Sequence, residues 1–338
     1  MKTKTPTIKD IAVEAGVSKS AVSRALLGQG EVSPATKDRV ERAAHKLGYV
    51  ANAMAAGMRT SATRTLGVVF RDVTRPFYAE LYAAMQQRAE VRGYRVVTAT
   101  SAGELDVADA LGALRALISL QVDGLIIASA KLPSEQITPY VDRVPIVVAG
   151  RKESHPAITS VYCDDIDGGT ALASYLLQLG HRRIAVPLVD EAYSLSQHTR
   201  GSAMIEKITR SGAEAVVHPV PSDLATVEVV DSALSDPSIT AMMCPTDSSM
   251  MDVLEALRLL AKSAPADLSI TGYDGLGPLA APFLGLTTYH QPVVEIGHSA
   301  IDLLVDSIAD STRIGDHVAL TGHVVRGRTT AAARPMKR

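Results

Sequence analysis

Between Thr7 and Leu26, apolar residues recur at helical spacing in two short stretches separated by a glycine. Ile8, Ile11, Ala12 and Ala15 fall on one face of a first helix, which Thr7 caps with Asp10 as its partner three residues on. Gly16 supplies the left-handed residue that ends this helix, and Val17 fills the elbow. Ser18 then caps a second helix that turns Ala21, Val22, Ala25 and Leu26 inward. After a Gly28-Gln29-Gly30 loop, Ser33 and Pro34 open a third helix, Val40, Ala43, Ala44 and Leu47 give it a core face, and Gly48 stops it. Three helices of this kind can bury one small core. They leave Lys19, Ser20, Ser23 and Arg24 on the outer face of the second helix. Such side chains reach phosphates and base edges when a helix lies in the major groove, so the pattern predicts a helix-turn-helix.

From Leu66 onward the rhythm changes. Leu66 to Phe70, Arg95 to Ala99, Gly124 to Ala128 and Pro145 to Ala149 are short apolar runs, with helical stretches at 78–92 and 106–120 between them. A second series follows at 184–188, 215–219, 241–244 and 268–271, separated by helical stretches at 167–179, 200–211 and 248–260. Buried strands alternating with helices imply open parallel sheets. Two such units in tandem imply two Rossmann-like subdomains with a cleft between them, and ligands of these sheets sit at the carboxyl ends of the strands.

Composition adds an asymmetry. The 338 residues carry a net charge of −2, with 46% hydrophobic and 21% charged residues, as in ordinary soluble domains. Residues 1–60 hold ten Lys/Arg against five Asp/Glu, leaving that segment about +5 and the remainder about −7. A basic head on an acidic body fits phosphate binding by one module. No apolar run approaches the roughly 18 residues of a membrane span, so no membrane partner is expected. The N-terminus offers lysines and a capped helix in place of a secretory signal, which points to a cytoplasmic protein, nucleoid-associated when bound to DNA. Cys163 and Cys244 have neither pairing nor metal spacing and are expected as reduced thiols.

The residue order itself resembles a known family. Thr7-Ile8-Lys9-Asp10-Ile11-Ala12, Ala15-Gly16-Val17-Ser18 and Val22-Ser23-Arg24 are similar to the opening of the lactose-repressor (LacI) family of bacterial transcriptional regulators. Val32-Ser33, Arg39-Val40 and Leu47-Gly48-Tyr49 continue the match at the right spacing. Further on, Arg75-Pro76-Phe77, Val122-Asp123-Gly124, Gly180-His181-Arg182-Arg183, Gly272-Tyr273-Asp274 and Gln291-Pro292 look like landmarks of the family's periplasmic-binding-protein-like core. The resemblance implies a helix-turn-helix domain at 1–59, with a hinge helix at about 51–59 and a linker at 60–65. It implies an effector-binding and dimerisation core at 66–330, with its N-subdomain at about 66–162 and 292–320 and its C-subdomain at about 163–291 and 321–330. A flexible tail at 331–338 is expected to follow.

It also implies functional residues. Thr7, Ser18, Lys19, Ser20, Ser23 and Arg24 would contact a near-palindromic double-stranded operator, joined by Asn52, Ala53 and a Met58 wedge from the hinge, where Ala51 and Ala56 replace the usual Pro and Arg. Asp72, Arg75, Phe77, Arg151, His198, Thr246, Asp274 and Gln291 match positions at which relatives hold an effector. Arg75 stands for a usual Asn, Gly150 for a frequent Asp, Thr246 for Asn and His198 for Arg. Fewer hydroxyl-binding groups and an added arginine widen the expected effector from a sugar to a sugar acid, sugar phosphate or nucleoside. Without leucine heptads near the C-terminus, a homodimer is the expected assembly. Neither metal nor cofactor is implied: the histidines lack zinc spacing, no Ser sits in a nucleophile elbow, and Gly275-Leu276-Gly277-Pro278-Leu279-Ala280 comes too late, and is interrupted by proline, to be a dinucleotide fingerprint. The reading is therefore a non-enzymatic transcriptional repressor of carbohydrate or related catabolic genes. Its rival is a sugar-binding protein or sugar-handling enzyme with incidental N-terminal helices.

Overall fold

The computed structural model describes residues 6–27, 31–49, 63–100, 106–129, 132–153, 155–223, 227–310, 312 and 315–334. The chain divides after Thr63 into two units. The expected hinge helix, with Asn52, Ala53 and Met58, and the 28–30 loop lie outside the described residues.

The first unit holds three helices, each stopped and started by its own side chains. In α1 (Ile8–Ala15), Asp10 Oδ2 accepts from the Thr7 N–H at 2.8 Å and the Thr7 hydroxyl at 2.6 Å. Gly16 ends α1 at φ 64°, which lets the Val17 N–H reach the Ala12 carbonyl at 3.0 Å. Ser18 Oγ accepts from the Ala21 N–H at 3.2 Å to start α2 (Lys19–Leu27), and Ser33 Oγ accepts from Thr36 to start α3 (Pro34–Leu47). Ile11, Val22 and Val40 are fully buried where the helices meet. At about 1.5–3 kcal/mol per buried aliphatic side chain, this core is small, and the caps contribute a comparable share.

The second unit contains two six-stranded sheets. The first is built from β1 (Thr65–Phe70), β2 (Arg95–Ala99), β3 (Gly124–Ala128), β4 (Ile146–Ala149), β5 (Thr159–Cys163) and β11 (His317–Leu320), in the all-parallel order β11-β5-β4-β3-β1-β2. Helices α4 (Pro76–Val91), α5 (Val107–Ser119), α6 (Ser134–Ile137) and α11 (Val293–Ala309) accompany it. The second sheet runs β12-β10-β9-β8-β6-β7, from β6 (Arg183–Val189), β7 (Glu214–Val220), β8 (Ala241–Met243), β9 (Ser269–Asp274), β10 (Thr288–His290) and an antiparallel β12 (His323–Val325). Its helices are α7 (Asp165–Gln178), α8 (Leu195–Arg210), α9 (Val227–Ser235) and α10 (Asp247–Leu259). The chain passes between the halves three times: after β5, after β10 and between β11 and β12.

The structure departs from the sequence reading in places, each for a local reason. α8 begins at Leu195 instead of Arg200, because Ser194 caps a first turn whose residues are mostly polar. Strand β5 was not expected; Thr159 and Ser160 are buried although polar. Arg64 and Thr65 are no linker: the Arg64 N–H donates to Asp123 Oδ2 at 2.8 Å, and Thr65 opens β1. Residues 331–334 are no free tail either. The Ala331 carbonyl lies 3.0 Å from His181 Nε2, and the Ala333 N–H donates to the Leu179 carbonyl at 2.8 Å. Gly277–Ala280 forms a single 3-10 turn and opens no long helix, so the late glycine cluster is a loop as read.

Helices α7 and α8 press together at Gly169, where an added Cβ would stand 2.4 Å from the Arg200 carbonyl oxygen. That neighbour is backbone and cannot rotate away. Gly169→Ala is expected to destabilise the core by about 1–3 kcal/mol through overpacking. A melting temperature equal to the parent's, measured by calorimetry, would show that the helices separate at no cost.

Candidate functional site

Two surfaces carry the candidate chemistry, one in each unit. On the first, Lys19, Ser20 and Arg24 are exposed on α2, Ser23 is half-buried beside them, and Lys9 is exposed on α1. Thr7 and Ser18 are already engaged as helix caps, so each offers only its remaining hydroxyl capacity to another partner. The buried Val22 and Ala25 lock the rotation of α2 and so decide which residues face outward.

The second surface is a cleft of about 760 Å³, its open mouth included, at the carboxyl ends of both sheets. Asp72, Arg75, Phe77, Arg151, Thr246, Asp274 and Gln291 all line it. His198 does not. Its Nδ1 is 2.8 Å from the Val189 carbonyl, and its ring lies against a shallower hollow with Asp190 and Pro219. The arginine of this helix that reaches the cleft is Arg200, two residues on, which the sequence reading missed. The signal was present: Ser196, Arg200, Met204 and Ile208 are spaced four apart and all are buried, so Arg200 lies on the inward face of α8.

Arg200 is the charge around which the deep wall is built. Its Nε donates to Asp165 Oδ1 at 2.9 Å and Nη1 to the Pro245 carbonyl at 3.2 Å. Asp274 Oδ1 lies 3.7 Å from Nη1, and the guanidinium sits 3.7 Å from the Tyr273 ring centre. Asp274 receives the Gln291 side-chain amide at 2.7 Å. It also sits at φ 126°, a conformation that residues with a Cβ rarely hold, as is common where a site fixes a side chain. Burial pushes the Asp274 carboxyl up to about 7; Arg200 opposes the shift and the neighbouring Asp247 adds to it. Asp165 is pushed up by burial to about 6, again against the pull of Arg200. Asp247 is raised too, by burial first, although it accepts from the Gly275 N–H at 2.7 Å and the Thr288 hydroxyl at 2.6 Å. Tying down the 275 loop is thus a task of Asp247, which leaves Asp274 facing the cleft.

The other predicted residues divide by what their polar atoms do. Arg151 lines the cleft but gives its guanidinium to the Leu132 carbonyl at 2.8 Å, the Ser129 carbonyl at 3.3 Å and Glu153 at 3.1 Å, fixing loops of the first half. Thr246 caps α10 through the Ser249 N–H at 3.1 Å. Asp72 accepts from Thr74 through both N–H and hydroxyl. Phe77 fills the space beside Gly150, where a Cβ would stand 3.0 Å from its ring, so the residue that could have been an aspartate is replaced by an aromatic wall. Arg75 does not face the cleft as a lone cation. It is paired with Asp223 and lies 3.4 Å from Asp72, and Tyr193 and Gln197 join the same carboxylate. Asp223, Tyr193 and Gln197 escaped the sequence reading, because nothing local marks them.

A DNA-reading helix pair on one unit and a two-lobed ligand cleft on the other define a ligand-responsive DNA-binding regulator. Comparison with known proteins narrows the class. Residues 7–52 match "Bacterial regulatory proteins, lacI family", and residues 173–330 match "Periplasmic binding protein-like domain". The repressor PurR of Pectobacterium carotovorum is 30% identical over 323 residues, covering 92% of this chain and 93% of that protein. The repressor CytR of Escherichia coli K12 is 28% identical over 337 residues, covering 96% of each. A crystal structure of the Lac repressor bound to ONPG superposes with a TM-score of 0.83 at 24% identity, over 97% of this chain and all of that one. The chain belongs to the lacI family of bacterial regulatory proteins.

The raised carboxyls give a testable pH dependence. A group whose folded-state pKa lies above its unfolded value binds protons more tightly when folded, so its stabilising effect is full at low pH and is lost as pH rises through the folded value. Between about pH 4 and about pH 7, therefore, the parent should lose stability relative to an Asp274→Asn variant that has no such proton to release. Chemical denaturation of both proteins across that range checks it. A difference that stays constant with pH would place Asp274 in an ordinary aqueous setting.

Proposed function

We propose that the protein is a transcriptional repressor that binds a near-palindromic double-stranded operator as a homodimer and is released or recruited by a small neutral effector, a sugar or a nucleoside, held in the cleft. It would act in the cytoplasm, on the nucleoid when bound. The observation that carries the DNA-binding half is the exposed Lys19, Ser20 and Arg24 on a helix whose rotation is locked by buried Val22 and Ala25, in a chain of this family. A dimer would set two such helices about one turn of DNA apart. The effector half rests on the Arg200, Asp274 and Gln291 cluster at the strand ends, with Phe77 offering an apolar face. Sugar acids and sugar phosphates were suggested by Arg75, and its pairing with Asp223 and Asp72 removes that argument. The matched relatives are repressors by name, and among the described residues no helix is long and apolar enough to cross a membrane. Coupling between cleft and operator is expected at about 1–3 kcal/mol, the usual range for such linkage.

Arg24→Ala should weaken operator binding by about 1–3 kcal/mol and relax base preference at one position of each half-site. Selection from a randomised operator library reads this directly, and an unchanged preference would reduce Arg24 to a phosphate contact. For the cleft, a thermal-shift screen of neutral sugars and nucleosides against their acidic and phosphorylated counterparts comes first. Asp274→Ala should then raise the dissociation constant of the strongest hit at least about tenfold, because stranding buried donors costs about 1–3 kcal/mol. Calorimetric titration that finds the affinity intact while the melting point falls would make Asp274 a structural residue only.

A further inference from the structure

The two halves of the core are bridged by charges of the protein itself. Arg75 stands at the N-cap of α4 in the first half, and Asp223 follows β7 in the second. Both Nη atoms of Arg75 reach the Asp223 carboxylate, Nη2 lying 3.2 Å from Oδ1 while Nη1 meets Oδ2. Two parallel donors on one carboxylate form the directional and strong kind of ion pair.

Each end is braced. Arg75 Nε lies 3.4 Å from Asp72 Oδ2, and Asp72 is fixed in turn by Thr74. The Asp223 side chain is 1% exposed and also accepts the Tyr193 hydroxyl at 2.8 Å and the Gln197 amide at 3.3 Å. Three further contacts cross the same gap. The Arg71 guanidinium lies 4.3 Å from the Tyr193 ring centre, Ser196 Oγ donates to the Gly150 carbonyl at 3.3 Å, and the Gly277 N–H donates to Glu80 Oε1 on α4 at 2.5 Å. Every group named belongs to this chain, so the bridge needs no ligand to complete it. The covalent links between the halves are three chain crossings, and crossings of this kind leave hinge motion free unless contacts oppose it.

We propose that Arg75 and Asp223 are a latch that holds the two halves of the core together across the cleft by the protein's own charges, so that a charged effector would have to compete with the latch while a neutral one would not. The clause about the effector rests on the reading of the cleft given above; the latch itself does not. The pair also filters by charge. An anionic group seeking Arg75 must displace a carboxylate already seated there, and a cationic group seeking Asp223 must displace the guanidinium. A neutral ligand at Arg200, Asp274 and Gln291 meets neither obstacle.

Spin labels on the exposed Gln87→Cys and Ser232→Cys positions, one in each half, report the opening in the full-length protein without ligand; Cys163 and Cys244 are buried and stay unlabelled. The parent should give one well-defined intrasubunit distance. Arg75→Ala and Asp223→Asn should each shift the distribution to longer distances, and the double variant should open no further than either single one, since both remove the same interaction. Arg75→Lys, which keeps the charge and loses the fork, should fall between parent and alanine variant. Circular dichroism of every variant confirms that its secondary structure persists. Distances unchanged in both single variants, or single effects that add in the double one, would overturn the latch. Either result leaves operator binding and effector affinity to be judged by their own assays, so the two ideas fail separately.

Discussion

A buried guanidinium is costly unless nearly all of its donors find partners, and Arg200 imposes that requirement on the second half of the core. Its four partners come from three places in the sequence: the start of α7, the loop after β8, and the end of β9, which supplies both Asp274 and the ring of Tyr273. None of the loops can drift without stranding part of the charge. The raised carboxyls follow from the same arrangement. Asp165 and Asp274 are pulled out of water to meet one cation, with Asp247 close by, and one positive charge does not offset all three. The raised carboxyls are thus a consequence of the scaffold as much as of any ligand chemistry.

Four arginines around one cleft would ordinarily mark an anion receptor. Here each does something different. Arg200 organises the deep wall, Arg151 secures loops of the first half through carbonyls and Glu153, Arg75 reaches across to Asp223, and Arg71 lies over the Tyr193 ring. Once each guanidinium is traced to its partners, the cleft presents mostly acceptors and aromatic surface. Carboxylate and amide oxygens beside an aromatic wall suit hydroxyl-rich, uncharged ligands better than phosphates.

The central parallel strands were legible because strands covered on both faces read as continuous apolar runs, and the fully buried β3 falls on the expected residues; β2 does so too, although it is an edge strand and largely exposed. The helix caps of the first unit were legible because a cap is a local contract among four residues. What stayed hidden was non-local. Asp223 meets Arg75 across 148 residues of sequence, and no period or spacing joins them. The misplacement of His198 has a geometric reason: two residues along a helix turn the side chain by roughly 200°, so a family landmark shifted by two points the wrong way. Aligning the landmark to the apolar positions Met204 and Ile208 would have selected Arg200. The short strands β5, β10, β11 and β12 carry Thr, Ser and His at paired positions, and polar residues in strands of three to five leave too little pattern to read.

The three crossings have a consequence for the order in which the protein can be made. The three-helix unit is continuous in sequence, so all of its core has been synthesised by residue 49. The first sheet is different: its edge strand β11 and the apolar face of α11, with Ile296, Ala300, Ile301 and Leu304, belong to residues 293–320. During synthesis the buried side chains of β3, β4 and β5 await that cover while the whole second half emerges. Both halves therefore mature almost together, and a chain cut short before Val293 would carry a finished DNA reader on a sheet with an open apolar face. Exposed surface of that kind invites aggregation. Loss of everything from Val293 onward would thus remove the protein by proteolysis or precipitation, and would not leave an unresponsive repressor on the operator.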